Sequence, residues 1–223
     1  MSNKDLTKTT QIPFAALVKK SLSCLISQEP SNNGLSNEKR VARLRDSFSP
    51  LQLCSLFNPG LQAVLPSKCK SIHVATYSEE TPTLGEMVSA YGEMVAVAFL
   101  KAQFIKINDF AGSKQKISDG QLEDLSLQIV AEYPYLNLLE IIVFCGRLRS
   151  GMYGEFYGSV DPMRILYGLG LFCKDREKDI SRYEIAREKE EQEKQRDEWA
   201  KRSISWDEWQ KIKAENSEKS LHK

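Results

Sequence analysis

Apolar residues return every three or four positions along much of this chain, the period of an amphipathic helix. Residues 12–26 carry Phe14, Leu17, Val18, Leu22, Leu25 and Ile26 in that rhythm, with Pro13 suited to a first helical turn. A loop follows by composition at residues 29–34. The basic segment 38–45 can be helical with Val41 and Leu44 inward, and Ser49-Pro50 opens another short helix that Asn58-Pro59-Gly60 closes. Residues 60–82 are broken by Pro66 and Pro82 and read as an extended linker lying on the next domain. Residues 72–77 alternate like a strand, but a lone strand has no partner. From Thr83, the positions Leu84, Met87, Val88, Tyr91, Val95, Ala98, Phe99 and Ala102 continue the helical period to about Ile107. Gly92 either ends a first helix there or allows close helix contact. Ser118 with Gln121 forms a capping-box pattern ahead of Leu122, Leu125, Leu127, Ile129 and Val130. Residues 138–148 are almost wholly apolar. They read as a central helix rather than a buried strand, because their neighbours are helical. Asp161-Pro162 then opens a helix to about Lys174.

Beyond that point the pattern changes from apolar to charged. Residues 174–202 hold ten Lys/Arg and ten Asp/Glu, with too few apolar positions for a heptad seam, so a solvated single helix is expected. A further capping box, Ser205 to Glu208, starts a short helix with Trp206, Trp209 and Ile212 at three-residue steps. The expected fold is all-α: a compact bundle of four to five helices with a protruding, highly charged C-terminal helix. The expected layout is an N-terminal helical extension (1–60), a linker (61–82), a helical core domain (83–176), a charged helical spacer (177–203) and a Trp-containing helix with its tail (204–223).

Composition adds little to this picture. The 223 residues carry a formal net charge of +1, so no global field favours nucleic acid or membrane. Residues 1–50 are mildly basic, with eight Lys/Arg against four Asp/Glu. Five cysteines stand far apart without a C-x-x-C pair, and the histidines are His73 and His222. Buried free thiols in a reducing cytosol are expected, and no structural zinc. The polar N-terminus resembles no signal segment and no apolar run approaches the length of a membrane span, so a cytoplasmic location is expected. No phosphate loop and no G-x-S-x-G elbow is present. With no metal, no cofactor and no nucleophile motif, an enzyme is not expected.

The segment with the most unusual chemistry is residues 148–163, which packs three glycines, three aromatics and the Asp161-Pro162 helix start. Tyr153, Phe156 and Tyr157 are flanked by Arg147, Arg149 and Arg164. Aromatic faces with guanidinium groups can stack bases and hold phosphates. The competing reading is structural: the aromatics plug the edge of the core, the glycines permit positive φ and the arginines face water.

The order Thr83-Leu84-Gly85, Tyr91-Gly92, Asn108-Asp109-Phe110, Gln121 on a capped helix, Glu132-Tyr133, and then Gly151-Met152-Tyr153-Gly154-Glu155-Phe156-Tyr157-Gly158-Ser159-Val160-Asp161-Pro162 resembles a family of unknown function. It occurs in gut Bacteroidales genomes, their phages and mobile elements. The resemblance covers about residues 83–176 and rests on the Y-G-x-F-Y-G-S-V-D-P core. Cys145 stands where relatives tend to carry an aromatic. The resemblance implies a bacterial or phage-infected cytoplasm and carries no catalytic residue.

Two functions fit. One is an adaptor for DNA replication or mobile-element maintenance, in which Trp206, Trp209 and Ile212 capture a protein partner such as a replication helicase, as in the general plan of helicase loaders. The other is a single-stranded nucleic-acid binder using the loop and the basic N-terminal segment. A virion or cargo component is a third option.

Overall fold

A computed structural model describes residues 36–78, 81–112, 114–156, 159–202 and 205–221. The helix expected at residues 12–26 lies outside them. Among the described residues the regular structure is helical, with ten α-helices and one 3₁₀ helix. The chain divides into two compact units, Met1–Asp179 and Ile180–Lys223.

The first unit is built round α8, which spans Leu138–Arg149. Every side chain of residues 138–148 is buried, which fits an apolar run read as a central helix. Helices α6 (Glu93–Ala111), α3 (Leu65–Lys68), α4 (His73–Thr76) and the 3₁₀ helix Pro59–Ala63 all pack on it. Helix α7 (Asp119–Glu132) packs on α6 and starts with the expected Ser118–Gln121 box. Helix α5 (Leu84–Tyr91) also packs on α6, and α1 (Asn37–Ser47) covers α5. The starts of α5 and α8 lie side by side. Leu84 N–H donates to Leu136 O (2.9 Å) and Leu138 N–H to Pro82 O (3.1 Å).

The α1–α5 contact is polar. Arg40 Nε lies 2.5 Å from Glu86 Oε1, and Arg45 donates to the carbonyls of Ala90 (2.9 Å) and Ser89 (2.6 Å). Two cations of the basic segment are thus spent on helix packing. Helix α2 (Pro50–Leu56) begins with a capping box between Ser49 and Gln52.

Three expectations need correction. Residues 60–82 are not an extended linker, and the stretch 72–77, whose alternation had no partner strand, carries the helical turn His73–Thr76. Leu61, Leu65, Cys69, Ile72 and Ala75 are buried at four-, four-, three- and three-residue steps. That is helical period carried through successive short turns. Pro59 and Pro66 begin turns, where a missing N–H costs nothing, rather than breaking the chain. Next, Gly92 at φ +90 ends α5 and resets the helical phase, and a Cβ there would meet nothing within 4 Å. The buried face of α6 is therefore Ala96, Val97, Phe99, Leu100, Gln103, Phe104, Ile107 and Asn108, so of the expected positions Phe99 is buried while Ala98 and Ala102 are exposed. Finally, the helix opened at Asp161-Pro162 does not stop near Lys174. Helix α9 runs unbroken over Pro162–Arg202, since nothing in its charged half opposes helix.

Candidate functional site

The glycine-aromatic segment begins as a helix stop. Ser150 caps α8, Gly151 N–H donates to Leu148 O (3.1 Å) and Met152 N–H to Arg147 O (3.1 Å). These two bonds make a Schellman motif, with Gly151 at φ +79 in the left-handed position the motif needs. Gly154 also has positive φ, +104. Tyr153 turns inward: it is 5% exposed, with its ring 6.1 Å from Phe144 and edge-on at 6.3 Å to Phe172. Burial pushes its phenol pKa up, against the lowering effect of Arg147. Phe156 packs at the edge of the core. Tyr157 lies outside the described residues.

Arg147 and Arg164 are hydrogen-bonded within the fold, whereas Arg149 packs on a ring and its buried Nε and Nη1 have no hydrogen-bond partner. Arg147 is buried and donates to Lys70 O at 2.8 Å. The Arg149 guanidinium lies over the Phe110 ring, 4.1 Å from its centroid. Arg164 donates to Glu155 O. Asp161 Oδ1 accepts from Met163 N–H (2.9 Å), so a carboxylate occupies the start of α9 where an anion would otherwise sit. Val160 N–H reaches back to Gln115 O (3.1 Å). The structure brings Arg147 and Tyr153 together inside the core, and neither presents a surface to a base.

A second cluster went unread in the sequence. Glu140 is 0% exposed, and its carboxylate is held from three sides. Its Oε1 accepts from Thr76 Oγ1 (2.5 Å) and Arg176 Nε (2.6 Å), and its Oε2 from Asn137 N–H (2.9 Å). Asn137 caps α8 through Glu140 N–H (2.9 Å) and also donates from Nδ2 to Ala75 O (2.8 Å). One helical turn beyond Arg176, Asp179 Oδ2 accepts from the backbone N–H of His73 (2.8 Å) and lies 2.9 Å from His73 Nδ1. Desolvation raises the Asp179 pKa, but the bonds and charge from His73 outweigh it and hold the carboxyl below its ordinary value. Tyr135 donates to Cys173 Sγ at 3.8 Å, and its phenol is pushed up to about 12, chiefly by burial. Burial likewise raises the Cys173 thiol, so it is no ready thiolate.

These groups join α4, α8 and α9, and Glu140 has its acceptor positions taken by structural donors. Among the described residues no group of three or more His, Cys, Asp or Glu side chains could hold a metal ion. The local signal for the cluster was the spacing Asn137-x-x-Glu140, another capping box. Its partners Thr76 and Arg176 lie 64 and 36 residues away and leave no local pattern.

The C-terminal residues are different in kind. The chain's 3 tryptophans are Trp199, Trp206 and Trp209. All lie in the second unit and are 77%, 68% and 40% exposed. Helix α10 (Trp206–Leu221) starts on the expected box, with Ser205 N–H donating to Glu208 Oε2 (3.0 Å). The Trp206 and Trp209 rings stack, with centroids 5.0 Å apart and planes 20° apart. Lys213 Nζ lies 4.9 Å from the Trp209 ring, and Ile212 is 45% exposed beside them. Three apolar side chains therefore meet water on one short helix.

Residues 116–219 match the model of a family of unknown function (DUF6633). No curated protein and no solved structure matches the chain. The matched stretch takes in α7, α8, the glycine-aromatic segment, all of α9 and the Trp pair of α10. No helix among the described residues is long and apolar enough to cross a membrane.

Proposed function

We propose that this chain is a non-enzymatic adaptor of a phage or mobile element, in which the segment bearing Trp206, Trp209 and Ile212 captures a protein partner. The observation that carries the reading is the stacked, exposed Trp206–Trp209 pair. Exposed aromatic area of this kind is kept where it docks, because tryptophan is the residue type most enriched among the few that dominate binding energy. The family match runs through this helix to residue 219, so the tryptophans belong to the matched unit rather than to an unrelated extension. In the first unit, the buried acid Glu140 and the arginines Arg147 and Arg164 are engaged in holding the fold, which favours recognition over chemistry.

The partner class we favour is the DNA-replication apparatus, in particular a replicative helicase. The layout of a folded unit, a charged helix and an aromatic-bearing end resembles that of helicase loaders. This is an argument from layout. The test is binding of the full chain to the purified replicative helicase of the host bacterium, compared with a chain ending at Lys201. The full chain binds and the shortened one, still folded, does not. Trp206→Ala with Trp209→Ala loses at least about 2 kcal/mol of affinity. Equal binding by the full and shortened chains refutes the tail as the capturing element. Salt-sensitive binding of single-stranded DNA in place of helicase would favour the nucleic-acid reading.

A further inference from the structure

Helix α1 is joined to the first unit mainly through charged and polar groups. Leu44 is its one buried side chain, with Val41 half-buried beside it. Its anchors on α5 are hydrogen bonds. Arg40 meets Glu86 twice, Nε to Oε1 at 2.5 Å and Nη2 to Oε2 at 3.4 Å. Arg45 spans the end of α5, donating from Nε to Ala90 O and from Nη2 to Ser89 O. The Tyr91 hydroxyl lies 2.8 Å from Leu44 O and 2.6 Å from Phe48 O, with one proton to share between the two carbonyls. Water and ions reach these bonds, since the Arg40 side chain is 36% exposed and Arg45 lies at the surface. Ion pairs in such a position are weak and yield to salt.

The surroundings let this contact open at little cost. Opening leaves no buried charge alone: Arg40 passes into water, and Glu86 keeps the Thr83 N–H (2.8 Å) that closes the capping box of α5. The connection to α2 is two extended residues, Phe48 and Ser49, and α2 starts on its own Ser49–Gln52 box, so it stays folded when α1 leaves. Helix α1 itself has 11 residues, and Ser36 at its start makes no side-chain cap bond, so away from α5 it is too short to persist. We propose that α1 is a releasable strap, which leaves α5 and loses its helix in one step when ions compete for Arg40 and Arg45. Residues 39–45 then become a strip bearing Lys39, Arg40, Arg43 and Arg45 with no acid among them, and the edge of α5 from Glu86 to Tyr91 stands open. Closed, the strap ties up two of those cations and covers that edge, so charge and helix edge are uncovered together.

The experiment is hydrogen–deuterium exchange of the full chain, comparing peptides of α1 with peptides of α8. At about 0.05 M sodium chloride the amides of residues 40–48 are protected. Towards 1 M, where the screening length is about 3 Å, they exchange at least about tenfold faster while α8 stays protected. Glu86→Gln still closes the capping box but carries no charge. It speeds exchange in α1 at low salt and flattens the salt dependence. Arg40→Gln does the same with Glu86 untouched, so the result does not hinge on a change within α5. Tyr91→Phe speeds exchange in α1 by a similar factor at every salt concentration, because the bond it removes joins no ionic groups. Protection of α8 in each variant shows that the fold is kept. Exchange in α1 that ignores salt overturns the proposal. So do amides there that open only together with α8, or that lack protection at 0.05 M. Trp206→Ala with Trp209→Ala leaves these rates unchanged, which separates this result from the fate of the adaptor reading.

Discussion

Glu140 shows how much one side chain can hold. It closes the capping box of α8, accepts the hydroxyl of Thr76 and pairs with Arg176, all with no exposure to water. Glu86 combines the same two duties, closing the box of α5 while binding Arg40. A buried pair that loses one member leaves the other charge uncompensated. Glu140→Gln is therefore expected to cost about 3 kcal/mol in urea unfolding. Replacing Arg176 by Met in the same chain should recover part of that, and a double variant no more stable than the single one would deny the coupling. Gly146 is constrained from outside its helix. A Cβ there would overlap Pro66 Cγ and sit 2.5 Å from Gln62 O, so α8 and the turns at residues 59–68 touch through bare backbone. Gly146→Ala should destabilise by about 1–3 kcal/mol through forced shifts, although alanine is the better helix former. A gain in stability would mean that the two elements separate easily. Neither role could be read in the sequence: the capping spacing at Asn137–Glu140 is local and visible, but Thr76, Arg176 and Pro66 are brought in by the fold.

Among elements, legibility followed uninterrupted period. The apolar run of α8 and the capped start of α7 were readable because nothing intervenes. The face of α6 is legible only in part, at Phe99, because Gly92 breaks the phase, and the turns at 59–76 are hidden because prolines mask a period that survives them. The long helix α9 shows a different limit, since its length comes from the absence of a stop signal rather than from any pattern. Its anchorage does make a prediction. Asp179, at the end of the first unit, is tied to α4 by the backbone and ring of His73. Its pKa is depressed on folding, so the bond contributes stability that is full above the unfolded value of about 3.9 and is lost as pH falls through the folded value. Urea midpoints should drop across this acid range, and Asp179→Asn should flatten the slope. An unchanged slope in that variant would assign the acid sensitivity to other carboxylates. At the other end of α9, Asp161→Ala removes the cap on Met163 N–H and should cost about 0.5–2 kcal/mol.

For the molecule as a whole, the aromatic side chains are divided between the two units in a way that can be measured. The first unit packs its core with Phe99, Phe104, Phe144, Phe172 and Tyr153, while the tryptophans all lie in the second. Tryptophan emission therefore reports on the second unit alone, and tyrosine signals report mainly on the first. The exposed state of Trp199, Trp206 and Trp209 predicts red-shifted emission in the native chain, hardly changed when heat or urea unfolds the first unit. Far-ultraviolet circular dichroism and tyrosine absorbance should both show that same transition as cooperative. A chain ending at Lys201 keeps every residue of the first unit's core and should unfold within about 0.5 kcal/mol of the full chain. Docking of the Trp206–Trp209 pair on a partner should move the emission to the blue, since the rings leave water. Emission already blue in the free monomer, or shifting in step with the first unit's unfolding, would mean that the tryptophans are packed away and unavailable to any partner.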